Sequence, residues 1–205
     1  MKKCIIVGAG EIYSPVSVSE GDLVIAADGG YDYLKRAGIK PDILIGDFDS
    51  IDELPSDADV EIIKHPVEKD DTDMFLAYKT GASRGYEEFY VYGGVGGRED
   101  HTFANYCLLL RAKNENNLMF LIGNCTRTFV IKNEKIKLNS NRGNSVSIFA
   151  IGSEAEGVNI NGLKYNANDI SLRCDYPIGV SNSFVENEEA EISVKNGALL
   201  IIQQI

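Results

Sequence analysis

Short apolar runs of three to five residues, rich in β-branched side chains, recur through the first three-fifths of the chain. They cover residues 4–7, 23–27, 43–45, 60–64, 89–92 and 118–122, and most end in Gly or Asp. Between several of them the apolar spacing changes from continuous to helical. Residues 31–37 predict a helix that stops at Gly38, and residues 72–83 predict a second, carrying Phe75, Leu76 and Lys79 and stopped by Gly85. Residues 100–113 predict a third, with Phe103, Ala104, Cys107, Leu108 and Arg111 spaced by three and four. Buried strands that alternate with helices predict a parallel sheet with helices on both faces.

The texture changes from Arg127 onward. Strand-like runs at residues 128–132, 135–138, 145–151, 157–160, 170–173, 190–194 and 199–203 are separated by Asn, Gly and Asp, with no helical period between them. That pattern predicts a small β-sandwich or barrel. The boundary is expected near residues 124–138, which gives domains of 1–125 and 126–205. There is no low-complexity linker and no internal repeat.

Charge sharpens the division. The chain of 205 residues has a formal net charge of -11, with 22 acidic and 12 basic side chains in residues 1–123 but 9 and 8 in residues 124–205. Such a balance argues against a nucleic-acid or anionic-membrane binder. No apolar run approaches a membrane span, and the run after Lys3 is too short for a signal peptide. Cys4, Cys107, Cys125 and Cys174 are scattered, with no C-x-x-C pair, so they read as buried or free thiols in a reducing cytoplasm. Two histidines and no cysteine cluster leave no ordinary zinc site.

The acidic excess collects after the strands. Asp28-Gly29-Gly30, Gly46-Asp47-Phe48-Asp49-Ser50, Lys69-Asp70-Asp71-Thr72-Asp73 and Gly93-Gly94-Val95-Gly96-Gly97-Arg98-Glu99-Asp100 each follow a predicted strand. In an open parallel sheet, ligands bind outside the carboxyl ends of the strands. All four segments are therefore expected along one edge. Each has an ordinary alternative as a turn or a helix cap. Asp47 and Asp49 would share one side of an extended chain, and Asp70 and Asp73 one side of a helix start. Carboxylates so gathered repel one another unless a hard cation or a basic group offsets them. Glycines 93, 94, 96 and 97 let backbone N–H groups approach phosphate oxygens, and Arg98 can grip phosphate bidentately. The loop is neither a Walker motif nor G-x-G-x-x-G, and Gly8-Ala9-Gly10 also fails the latter pattern because Tyr13 stands at the third position.

These segments, with Gly38-Ile39-Lys40-Pro41-Asp42, Gly162-Leu163-Lys164-Tyr165 and Val180-Ser181-Asn182-Ser183-Phe184, resemble the thiamine pyrophosphokinase family in order and spacing over nearly the whole chain. The resemblance implies an α/β fold class: an N-terminal, Rossmann-like catalytic domain binding ATP and Mg²⁺, then an all-β sandwich binding thiamine. It implies a homodimer with thiamine near the subunit interface. The implied reaction moves the diphosphoryl group of ATP to the thiamine hydroxyl, giving thiamine diphosphate and AMP.

By resemblance, Asp47, Asp49, Asp70, Asp73 and Asp100 form the metal and catalytic cluster, with Asp73 and Asp100 foremost as direct ligands. Asp71 holds the variable position of its motif and is left out. Asp28, Gly29, Ser50, Lys69, Thr72, Gly94, Gly96, Gly97, Arg98 and Asn105 are the implied ATP and phosphate contacts. Ser181, Asn182, Ser183 and Tyr165 are the implied thiamine contacts, with Tyr176 a second aromatic candidate because the chain has no Trp. Asp100 and His101 are both open as acceptors of the hydroxyl proton. The alternatives are a pyrophosphokinase for another alcohol such as a pterin, a phosphatase that uses Asp47-Phe48-Asp49 as its D-x-D pair, and a non-catalytic nucleotide- or thiamine-binding module.

Overall fold

The computed structural model describes residues 2–48, 59–64, 71–139, 145–186 and 188–205. The candidate residues Asp49, Ser50, Lys69 and Asp70 lie outside the described residues. The chain forms two compact units, Met1–Leu108 with Asn116–Asn124, and Leu109–Glu115 with Cys125–Ile205.

The first unit contains strands β1 (Cys4–Val7), β2 (Leu23–Ala27), β3 (Ile43–Gly46), β4 (Glu61–Lys64), β5 (Glu88–Tyr92) and β6 (Leu118–Gly123). Its helices are α1 (Gly30–Ala37), α2 (Asp73–Ser83) and the first part of α3 (Glu99–Asn114). The strands pair in the order β6-β5-β1-β2-β3-β4, and every pair is parallel. The chain lays β2, β3 and β4 successively on one side of β1, then returns to place β5 and β6 on the other. Strand order therefore reverses between β1 and β5, and their carboxyl ends flank the crevice where such sheets bind ligands.

Both faces of the sheet are covered, as the alternation predicts. Ile5, Val7, Val24, Ala26 and Leu44 share a core with Tyr31 and Leu34 of α1. The residue before Ile5 points to the opposite face. There Gly81 of α2 approaches so closely that a Cβ would lie 2.7 Å from both the Cys4 sulfur and the Phe89 ring. Burial pushes the Cys4 thiol up to about 12, so it behaves as a small apolar side chain and not as a nucleophile. Cys107, Cys125 and Cys174 are exposed, and all four cysteines are free.

Helix ends follow local chemistry. Gly38 ends α1 in the left-handed conformation, with its N–H on Lys35 O and that of Ile39 on Leu34 O. Thr72 caps α2 by accepting from Phe75 N at 3.2 Å. Helix α3 spans the expected residues but turns a different face inward. Asn105, Leu108, Leu109 and Ala112 are buried, whereas Cys107 is exposed and Phe103 is 70% exposed. Apolar spacing points to Phe103 and Cys107, but the sheet takes the stripe through Asn105, whose amide is needed inside (below).

The second unit is antiparallel. One sheet pairs β7 (Thr126–Lys132) with β14 (Ala198–Gln204), β14 with β9 (Ser145–Ala150), and β9 with β12 (Asn182–Ser183). The other orders β11 (Ala167–Leu172), β10 (Ala155–Asn161), β13 (Ala190–Ser193) and β8 (Lys135–Leu138). Alternating residues such as Val146 and Ile148, Val158 and Ile160, and Ala190 and Ile192 turn inward, as a sandwich requires. Strand β12, only two residues long, has no signal in the apolar pattern. Among the described residues no helix is long and apolar enough to cross a membrane.

Candidate active site

A cavity of about 660 Å³ opens in the first unit at the reversal of strand order. The loops after β1, β2, β3 and β5 and the starts of α2 and α3 supply its walls, through Gly8, Ala9, Gly10, Asp28, Asp47, Asp73, the Gly93–Gly97 turn and Arg98, among others. Asp28, Asp47, Thr72, Asp73, Gly94, Gly96, Gly97, Arg98 and Asn105 are thus brought to one place. Gly29 is the residue that caps α1. Asp71 also lines the cavity and is ion-paired with Lys79, although its position in the motif gave no reason to include it.

Gly8-Ala9-Gly10 belongs here too, despite matching no dinucleotide motif. Gly8 N donates to Tyr92 O at 2.8 Å and Gly10 N to Gly93 O at 3.1 Å, so the turns after β1 and β5 are bonded to each other. Gly93 has φ +65°, and a Cβ there would lie 2.4 Å from Gly8 O. Two glycine turns packed back to back form the floor of the cavity. The signal for the first of them was its place after a central strand, which only strand order reveals.

Two of the acidic loops carry a non-glycine residue with positive φ. Asp28 has φ +48° and Phe48 has φ +68°. A bulky residue in this region costs on the order of 1 kcal/mol or more and persists only where its surroundings enforce it. Helix α2 begins at Asp73, after an extended Thr72 with ψ 154°. The expected pairings of Asp47 with Asp49 and of Asp70 with Asp73 each involve a residue outside the described residues.

Among the described residues no three His, Cys, Asp or Glu side chains stand close enough together to form a cation cluster on their own. The donors nevertheless fit Mg²⁺ bound with a nucleotide. Asp28, Asp47 and Asp73 line the cavity that the glycine turns also line, and Mg²⁺ takes only one or two carboxylates when phosphates and water complete its shell.

Asp100 is exposed and grips Arg98, with Arg98 Nε to Oδ1 at 3.1 Å and Nη2 to Oδ2 at 2.6 Å. Its Oδ1 also accepts from His101 N at 2.9 Å. The hydrogen bonds from Arg98 hold the Asp100 carboxyl below the usual carboxylate range, and Asp100 raises the Arg98 guanidinium in turn. Exposed pairs of this kind are weak, so both groups can exchange to a ligand at little cost.

Asn105 is 6% exposed and donates from Nδ2 to Gly94 O at 2.6 Å. It ties the glycine loop to α3. Asn105→Ala would leave that carbonyl buried and unpaired, with an expected loss of about 1–3 kcal/mol in unfolding by denaturant.

In the second unit the segments carrying Tyr165 and residues 181–183 lie side by side. Lys164 N donates to Ser183 O at 2.8 Å, and Leu163 bridges Phe184. Ser181 has φ +56° and donates its N–H to Ser147 Oγ at 3.0 Å. Tyr165 is 63% exposed and Tyr176 is 64% exposed, which leaves both rings accessible. Asn182 is buried.

Two family models match the chain. The one described as thiamin pyrophosphokinase, catalytic domain, matches residues 16–121, and the one described as thiamin pyrophosphokinase, vitamin B1 binding domain, matches residues 133–199. The chain is similar to the thiamine pyrophosphokinase of Bacillus subtilis (strain 168), 27% identical over 190 residues, covering 90% of this chain and 88% of the relative. It is 29% identical over 171 residues to thiamine pyrophosphokinase 1 of Oryza sativa subsp. japonica, covering 77% of this chain and 64% of the relative. The crystal structure of the Bacillus subtilis thiamine pyrophosphokinase superposes with a TM-score of 0.90 at 24% identity, covering 99% of each chain. The yeast thiamin pyrophosphokinase structure superposes at 0.72 and 17% identity, covering 100% of this chain and 86% of that one. At these identities the structures establish the fold.

Proposed function

The chain belongs to the thiamin pyrophosphokinase family, and from that premise we propose that it transfers the diphosphoryl group of ATP to the primary hydroxyl of thiamine, releasing AMP. The observation that carries this reading is the cavity at the strand-order reversal, where four aspartates, two bonded glycine turns and Arg98 converge. Diphosphoryl transfer needs charge neutralisation and in-line positioning more than covalent participation by the protein.

In this reading residues 1–125 form the ATP and Mg²⁺ domain and residues 126–205 the thiamine domain. Backbone N–H groups of the turn at 93–97 and the Arg98 guanidinium hold phosphate oxygens. Gly29, Ser50, Lys69 and Thr72 are the further nucleotide contacts proposed from the family pattern. Asp47, Asp49, Asp70, Asp73 and Asp100 would hold Mg²⁺, with Asp73 and Asp100 foremost. When bound, the cation neutralises charge on the phosphates as the bond to AMP breaks. Ser181, Ser183 and Tyr165 receive thiamine, whose positive charge suits a carboxylate-rich protein. The same reading includes a homodimer with thiamine near the subunit interface, and a cytoplasmic setting that suits four free cysteines.

The deciding experiment is incubation of the whole protein with ATP, Mg²⁺ and thiamine. Equal amounts of AMP and thiamine diphosphate are expected. ADP as product would indicate single-phosphate transfer, and inorganic phosphate would indicate the phosphatase alternative. Arg98→Lys keeps the charge but loses the planar fork. It is expected to raise the KM for ATP by about tenfold, about 1.4 kcal/mol, with the KM for thiamine unchanged. An unaltered ATP dependence removes Arg98 from the phosphate site.

A further inference from the structure

Asn182 stands between the two segments proposed to receive thiamine, and its side chain is 6% exposed. Its Oδ1 accepts from Tyr165 N at 3.0 Å and from Ser183 N at 2.9 Å. Its Nδ2 donates to Tyr165 O at 2.7 Å. This orientation of the amide is forced, because the reverse would set NH₂ against two N–H donors. An asparagine amide has two acceptor sites and two hydrogens, so three of the four are committed to backbone. The two bonds to Tyr165 join chain positions 17 residues apart, and Ser183 also pairs in the short strand beside β9 and with Lys164.

We propose that Asn182 is a positioning residue: it locks the Tyr165 and Ser183 backbones in register for the acceptor substrate and does not bind that substrate itself. The proposal rests on the thiamine reading above, and it departs from the family resemblance, which implied Asn182 as a thiamine contact. Ser181 and Ser183 flank it in sequence, and the Ser183 backbone N–H is bonded to its amide. Tyr165 is exposed, and its backbone bonds to Asn182 and the neighbouring pairing fix where its ring begins. Tyr165 and Asn182 both border a cavity of about 320 Å³, and a direct contact with a ligand there would have to use the one remaining amide hydrogen.

Two measurements test the assignment. In the unliganded wild-type protein, hydrogen exchange at the Tyr165 and Ser183 amides should be slowed, since both are bonded to the buried Oδ1; exchange at the rate of an open loop would overturn the clamp. In steady-state kinetics, Asn182→Ala should raise the KM for thiamine about tenfold, corresponding to about 1.4 kcal/mol, while the KM for ATP stays within about twofold. In a background carrying both Tyr165→Ala and Ser183→Ala the same substitution should add less than about twofold, because the side chains it positions are gone. Full additivity in that background would mean an independent contact with thiamine and would sink the proposal. An unchanged KM for thiamine, or an equal rise in both KM values, would sink it as well. A wild-type protein that makes no thiamine diphosphate refutes the functional reading instead, and the exchange experiment still judges the clamp.

Discussion

Asp73→Asn and Asp100→Asn are each expected to lower turnover by roughly 10²–10³-fold, or about 3–4 kcal/mol of transition-state stabilisation. Asparagine keeps the shape of the side chain and removes its charge, so the loss isolates the electrostatic contribution. Asp73 lies in the first turn of α2 on the cavity wall, where its charge also favours the helix dipole, an effect worth about 0.3–1 kcal/mol. Asp100 is exposed and among the described residues bonds to Arg98 and to its neighbour's N–H, so its replacement should hardly alter unfolding. Thermal melting alongside initial rates separates the two contributions, and direct titration of each variant with Mn²⁺ and a nucleotide reports metal binding without relying on turnover. Near-normal turnover in both variants would remove these carboxylates from the metal site.

Gly30→Ala is expected to destabilise the first unit by about 3 kcal/mol or more, lowering its melting temperature by roughly 10 °C. A Cβ at Gly30 would lie 1.9 Å from Val7 O and 2.5 Å from Val7 C, inside the carboxyl end of β1. Neither group is the movable end of a side chain, so α1 would have to shift away from the central strand. Gly38→Ala is the matched control. Gly38 has φ +69° but nothing within 4 Å of its would-be Cβ. Its substitution should cost only the backbone penalty of a left-handed alanine, about 1 kcal/mol. Equal melting temperatures for the two variants would refute the close packing at Gly30. Because Asp28 and Gly29 stand immediately before Gly30, the same close approach sets where the loop after β2 enters the cavity.

The candidate site was legible where chemistry is carried by residue type. Asp28, Asp47, Asp73 and the glycine loop with Arg98 are unusual enough in sequence to be noticed, and they line one cavity. Gly8-Ala9-Gly10 was not legible, because its role depends on β5 returning to lie beside β1, a pairing between residues more than 80 positions apart. The inward face of α3 was misjudged for a related reason. Apolar spacing favours Phe103 and Cys107, yet the buried stripe runs through polar Asn105, since leaving the Gly94 carbonyl without a partner would cost more than exposing a phenyl ring. The positive φ at Phe48 was also out of reach, because it is imposed by its surroundings and has no signature in the residue itself.

Sequence alone determined what depends on neighbours along the chain. The apolar runs define strands, Gly38 stops α1, and the change in periodicity after Arg127 separates α/β from β, because each is governed by interactions spanning a few residues. Tertiary structure alone decided which of these pieces meet. Parallel pairing brings Gly8 onto Gly93 and Gly81 onto Cys4, and the fold of the second unit hands the Asn182 amide to Tyr165. Such contacts depend on distances that no local periodicity encodes. They are selected by close packing and by the need to pair every buried polar group, conditions that only the folded chain as a whole can meet.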